Sequence, residues 1–182
     1  MSDLQAPAVT VVPPGAGMQG GIGSIDVVFK LFSKDTGGSL SIVEHPFPVG
    51  ALVPPHRHTR EDEYSIVTEG EIGFRSGESE VVLGPGGYIA KPRGELHTMW
   101  NAGKAPARMI EVIQPGGFEG YFWSLVELMA GGESLDPAQI AVLADRYGLY
   151  FQDPPWLPGI IERYGLTPPP DRGPREGNGV RP

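Results

Sequence analysis

The sequence predicts a mainly β protein: an antiparallel β-barrel of the jelly-roll kind, followed by an α-helical extension. Three observations carry this. Alternating apolar and polar runs recur at roughly 8–12-residue spacing from Ile25 to Ile113. Gly/Pro-rich turns separate them, and the chain holds 27 glycines and 20 prolines in 182 residues. After Gln114-Pro115-Gly116-Gly117 the apolar period changes from that of a strand to that of a helix.

Residues 1–21 contain Pro7, Pro13, Pro14 and several glycines with little periodicity, so they are expected to form a flexible arm. They show neither a basic n-region nor a continuous apolar run, which predicts no signal peptide and a cytoplasmic protein. Residues 22–117 are expected to form the barrel. Its strands are read at Val27–Phe32, Ser39–Phe47, Leu52–His58, Glu63–Thr68, Glu71–Arg75, Ser79–Leu83, Tyr88–Lys91, Leu96–Trp100 and Ala107–Ile113. Pro54 and Pro55 mark the third of these as an edge or bent strand. His45, next to Pro46, reads as a loop residue.

Residues 118–166 are expected to form helices packed on the barrel. Phe122, Leu125, Val126 and Met129 share one helical face, closed by Gly131-Gly132. Asp136-Pro137 starts a second helix, with Ile140, Leu143, Ala144 and Tyr147 inward and Gly148 as the stop. Asp153-Pro154 starts a third, stopped by Gly165. Residues 167–182 (TPPPDRGPREGNGVRP) read as a disordered tail.

Composition excludes several functions. With 14 Lys plus Arg against 22 Asp plus Glu, the formal charge is −8, which disfavours nucleic acid or an anionic membrane as partner. No cysteine is present, so disulfides, thiolate catalysis and Cys-based zinc sites are out. Any metal must be held by His and carboxylate.

The stretch from Gly50 to Asn101 holds three of the four histidines. His56 and His58 are two apart, which on a strand puts both imidazoles on one face. Arg57 between them should face away. Glu63 follows after a bend and His97 after a Gly/Pro-rich turn. Three imidazoles and a carboxylate suit a divalent transition metal (Fe, Ni, Mn, Co, Cu or Zn) and leave positions open for substrate.

These residues also carry a resemblance. Gly50-x5-His56-x-His58-x4-Glu63-x6-Gly70 and Gly86-x5-Pro92-x-Gly94-x2-His97-x3-Asn101 resemble the paired motifs of the cupin family, over roughly residues 25–115. The single barrel with its helical extension is similar to monocupins of the quercetin 2,3-dioxygenase-like kind. Gly87 departs from the pattern, since many cupins carry Asp after the first glycine. The resemblance implies a small β-barrel and metal ligands at His56, His58, Glu63 and His97, with Glu63 also acting as general base. The motif glycines and Pro92 are expected to shape turns, and Asn101 to secure the backbone.

If Glu63 points inward, strand parity places Ser65 and Val67 beside it, and Met99 beside His97. Phe29 and Phe74 are the further candidates for the substrate pocket, with Leu31, Ile42 and Tyr88 behind them. Phe122, Trp123 and Trp156 either pack the helices onto the barrel or close a lid over one mouth. Such a pocket favours an apolar or aromatic small molecule with enol or phenol oxygens. The leading expectation is a metal-dependent dioxygenase. A redox-neutral isomerase, lyase or decarboxylase and a non-enzymatic ligand-binding module are the alternatives. Exposed sheet edges and the N-terminal arm make a homodimer the expected assembly.

Overall fold

The computed structural model describes residues 9–130 and 136–169. Ten strands come first: β1 (Met18–Gly21), β2 (Asp26–Leu31), β3 (Ser41–Phe47), β4 (Leu52–His58), β5 (Asp62–Glu69), β6 (Ile72–Ser76), β7 (Ser79–Leu83), β8 (Tyr88–Lys91), β9 (His97–Asn101) and β10 (Ala107–Gln114). Helix α1 (Glu119–Ala130), helix α2 (Pro137–Arg146), strand β11 (Leu149–Phe151) and helix α3 (Leu157–Tyr164) complete the order.

Two antiparallel sheets result, one six-stranded in the order β1-β2-β3-β10-β5-β8 and one five-stranded in the order β11-β4-β9-β6-β7. The expected barrel is therefore a two-sheet jelly roll: among the described residues no ladder closes one sheet onto the other. Alternation explains the inner face. In β3 and β10 every second residue is buried, which puts Val43, His45 and Phe47 beside Met109, Glu111 and Ile113.

Between the sheets lies a core of Phe47, Val67, Ile72, Phe74, Met99 and Met109. A second core packs α1 and α2 over Val27, Phe29, Val43 and Ile113. A third seats α3, through Leu157 and Ile160, on Leu52 and Trp100. The indole of Trp100 covers Gly73 on the neighbouring strand, where an added Cβ would sit 2.1 Å from the ring. Gly73→Ala should therefore destabilise the fold by about 1–3 kcal/mol through overpacking. Thermal denaturation would read this at roughly 2–4 °C per kcal/mol. An unchanged midpoint would show that the indole relocates freely.

Several expectations change in detail. Residues 18–21, placed in the flexible arm, form β1 and pair with β2; residues 1–8 lie outside the described residues. β4 is not an edge strand, because β11 covers it; it is bent instead, with a register shift between Val53 and His56 that accommodates Pro54 and Pro55. α2 starts as read, with the Asp136 carboxylate accepting from Ala138 N and Pro137 at the first position. α3 starts at Leu157 rather than at Pro154 and has no side-chain cap. The Gly131-Gly132 stop lies outside the described residues, as does most of the tail, from residue 170. No described helix is long and apolar enough to cross a membrane.

Candidate metal centre

Register builds the site. β4 and β9 pair with His56 opposite His97, so the His-x-His strand and the second-motif strand deliver three imidazoles side by side. β5, in the other sheet, faces them with Glu63. A backbone bond from Gly94 N to His58 O (2.6 Å) ties the turn before β9 to the end of β4, and Gly94 takes φ 81 to make it. Asn101 secures the turn beyond β9, donating to the carbonyls of Phe47 and Ala105 at 3.0 and 2.9 Å.

One ligand atom from each of His56, His58, Glu63 and His97 lies within 4.8 Å of the others, and all four residues are buried. His56 Nδ1 donates to Pro54 O (2.7 Å) and His97 Nδ1 to Glu95 O (3.0 Å). A carbonyl only accepts, so His56 carries its proton on Nδ1 and turns an Nε2 lone pair inward, the tautomer metal ligation needs, while His97 Nε2 lies 3.1 Å from Glu63 Oε2. His58 Nε2 lies 3.2 Å from Glu63 Oε1 without hydrogen-bond alignment, and neither nitrogen of this 1 % exposed ring has a hydrogen-bond partner. Three imidazoles and a carboxylate converging in one buried cluster fit a divalent cation. Arg57 turns away as expected, its guanidinium 5.6 Å from the Tyr150 ring.

Electrostatics divide the histidines. Burial, then the rings of His97 and His58, holds His56 well below its ordinary value. Burial also lowers His97, against the pull of Glu63. His58 goes the other way: burial lowers it, but Glu63 and then Glu61 outweigh burial and raise it to about 9. Burial would raise the Glu63 carboxyl, yet His58 and Lys91 outweigh it and hold the group well below the usual carboxylate range.

Lys91 and Glu111 are the residues that sequence reasoning missed. Lys91 Nζ sits between two carboxylates, 2.9 Å from Glu63 Oε2 and 3.0 Å from Glu111 Oε2. Ser65 donates to Glu111 Oε1 and Oε2 at 3.0 and 3.2 Å. Lys91 and Glu111 are each 1 % exposed. Burial would lower the lysine, but Glu111 and Glu63 outweigh it and raise it. Burial raises Glu111 to about 7, opposed mainly by Lys91. A signal did exist: Glu111 occupies an inward position between Met109 and Ile113 in an alternating strand. A carboxylate at core parity needs a buried partner.

Beside the cluster opens a small cavity of about 70 Å³. Its walls are chiefly apolar: Ile25, Val53, Met99, Phe118, Phe122, Leu125, Leu149 and Phe151, with His45, His56, His58, Glu63 and Glu111 as polar groups. Of the expected pocket residues only Met99 lines it. Phe29 lies against Phe32 and Trp123 beneath α1. Val67 and Phe74 face inward but fill the core between the sheets, and Ser65 is engaged by Glu111. His45 is not a loop residue. It lies on β3, lines the cavity, donates from Nδ1 to Asp26 O (2.9 Å) and meets the Phe122 ring at 5.2 Å. Burial, partly offset by that carbonyl, lowers it to about 4, so at neutral pH its Nε2 is an acceptor.

The extension is part of the site. β11 pairs with β4 at His58 and His56, carrying Leu149 and Phe151 into the wall, while Phe118, just before α1, sets its ring 4.3 Å from that of His58. Thr59 closes the arrangement by donating to Gly148 O at 3.0 Å. Phe122 thus faces the cavity, whereas Trp123 and Trp156 pack elsewhere, the latter under Arg75 at 4.6 Å.

Comparison with known proteins agrees with the fold. Residues 44–113 match the cupin domain family. A germin-like protein of Arabidopsis thaliana, subfamily T member 2, is 39% identical over 76 residues, covering 39% of this chain and 34% of its own length. Another, subfamily 1 member 4, is 32% identical over 124 residues, covering 64% and 52%. The chain thus spans about a third to a half of these relatives. Among solved structures, a predicted oxalate decarboxylase from Thermotoga maritima superposes with TM-score 0.55 at 20% identity, over 58% of this chain and 99% of that one. KdgF from Halomonas sp. superposes with TM-score 0.56 at 18% identity, over 62% and 99%. At such identities these two structures share the fold.

Proposed function

We propose that this chain, with the cupin fold and a cupin domain over residues 44–113, is a metal-dependent oxygenase for apolar or aromatic compounds bearing an enol or phenol oxygen. The observation that carries this reading is a buried three-His, one-Glu cluster opening into an aromatic-walled cavity. His56, His58, Glu63 and His97 would hold the ion. A redox-active divalent metal there supplies Lewis acidity toward a substrate oxygen and electron exchange with dioxygen.

The chain's own residues supply orientation and proton handling. Phe118, Phe122 and Phe151 offer flat apolar surface to an aromatic substrate and exclude water from the reacting end. His45 Nε2, on the β3 side, accepts a hydrogen bond from a second hydroxyl. Glu63, held low by His58 and Lys91, is a good ligand and a poor base. Glu111 lines the same cavity and is held near 7, so the acidic O–H proton of the substrate passes to its carboxylate. This reading gives the base role to Glu111 rather than to Glu63, to which the family resemblance assigns it.

Oxygen uptake by metal-reconstituted protein, across flavonols and other enolic aromatics, tests the reading. Glu111→Gln should lower turnover by roughly 10²–10⁴-fold with substrate binding retained. Product formation without oxygen uptake under anaerobic conditions would replace the oxygenase by redox-neutral catalysis, and no turnover with any compound would count against an enzyme of this class.

A further inference from the structure

We propose that β11, together with helix α2, is a gate: it lifts off β4 to admit a substrate and reseats over the cavity. This rests on the aromatic substrate class proposed for the site and not on the identity of the metal or of the reaction.

The closed cavity is too small for such a substrate. It measures about 70 Å³, whereas benzene binds in an apolar cavity of roughly 150 Å³ and pockets for larger organic ligands start at roughly 300 Å³. One wall must therefore yield. Met99 and Glu111 lie on β9 and β10, each paired with a strand on both sides. The turn between β1 and β2 is held by Ser24, whose hydroxyl donates to Leu52 O at 2.6 Å, and by Ile25 in the core. Phe118 and Tyr121 are fixed at the start of α1, where the Glu119 carboxylate accepts from Ser33 N and Gly117 N, both at 2.7 Å. Leu149 and Phe151, the wall residues of β11, are the ones without such anchorage on both sides.

The segment is lightly held. β11 is three residues long, forms the edge of its sheet and pairs with β4 alone. Of the ten residues of α2 only Leu143 and Ala144 are buried. Tyr147, which follows them, sets its ring 6.2 and 5.9 Å from those of Phe118 and Tyr121, so the seat is an apolar surface. Few buried apolar contacts put a segment at the low end of local stability, from which gates are drawn. Its flanks are firmer: α1 is fixed through Glu119, and α3 is seated by Leu157 and Ile160 on Leu52 and Trp100. Lifting β11 withdraws Leu149 and Phe151 from the cavity and uncovers β4 at His56 and His58. The four-residue cluster stays in place, since its members belong to β4, β5 and β9.

Because the chain has no cysteine, a reversible lock tests this. Arg57 and Tyr150 are register partners of β4 and β11 and do not line the cavity. Such partners have Cα atoms about 4.5–5.5 Å apart, within the range a disulfide spans. Binding of 3-hydroxyflavone to the Zn(II)-reconstituted, desalted protein is followed by stopped-flow fluorescence. In the Arg57→Cys, Tyr150→Cys double variant the oxidised form should bind at least about 100-fold more slowly than the reduced form, which should behave as wild type. Equal rates in the oxidised and reduced forms would overturn the gate alone. Hydrogen exchange in wild type needs no variant. The amides of Thr59 and Gln152, which donate to Gly148 O and Pro55 O at 3.0 Å, should exchange at least about tenfold faster than that of Asn101, which donates to Ala51 O at 3.0 Å between β9 and the start of β4. Equal protection of the three would also overturn the gate. No binding of the flavone by wild type would overturn the substrate class and the gate with it.

Discussion

Replacing His97 by alanine should lower affinity for a divalent transition metal by more than about 100-fold, the upper end of what losing only an outer partner of a ligand costs. The reason is geometric. Its Nε2 is presented inward by the Nδ1 bond to Glu95 O, and β9 sets the ring opposite His56. His45, the remaining histidine, lies on β3 outside the four-residue cluster. The fold should survive the change, because the backbone pairing of β9 with β4 and β6 does not depend on the ring. Calorimetric titration with Zn(II) or Co(II) measures the loss. Affinity within a few-fold of wild type would exclude His97 as a ligand.

Metal uptake should strengthen with pH by about tenfold per unit up to about 9, releasing one proton per ion bound. The proton comes from His58, whose imidazolium is held up at about 9 by Glu63 and Glu61 and must lose its proton to ligate. His56 and His97, pushed down by burial, are already neutral, and Glu63 is already ionised, so none of them competes. The metal-free protein should behave oppositely. Because the folded value of His58 exceeds its ordinary 6.5, the stabilisation it gives is complete below about 6.5 and is lost as pH rises through about 9. Titrations in buffers of different ionisation heat count the released protons. A pH-independent affinity between 6 and 9 would place the metal away from His58.

The strands were legible because each is bracketed by Gly or Pro turns and keeps a clean two-residue alternation. The cluster was legible for a local reason: His56, His58 and Glu63 come from one strand–bend–strand unit, and His97 follows the turn that packs against it. The Lys91–Glu111 pair was not, because it exists only through the pairing of β5 with two different strands. Parity correctly turned Val67 inward, but it cannot say which end of the interior a residue reaches, and Val67 lies in the core between the sheets. His45 was misread from its neighbour Pro46, although Pro46 pairs with Arg108 inside a continuous strand. β11 is three residues long and gains its stability only from β4, so no local pattern announces it. Closure of a barrel likewise depends on contacts between sheets that alternation does not encode.

The central claim is that His56, His58, Glu63 and His97 together hold one transition-metal ion. Elemental analysis of the purified wild-type protein and its His56→Ala variant, each reconstituted and desalted, tests it most directly. The account predicts a single transition-metal ion per chain in wild type and essentially none in the variant. Equal metal content in the two, or none in wild type, would contradict it.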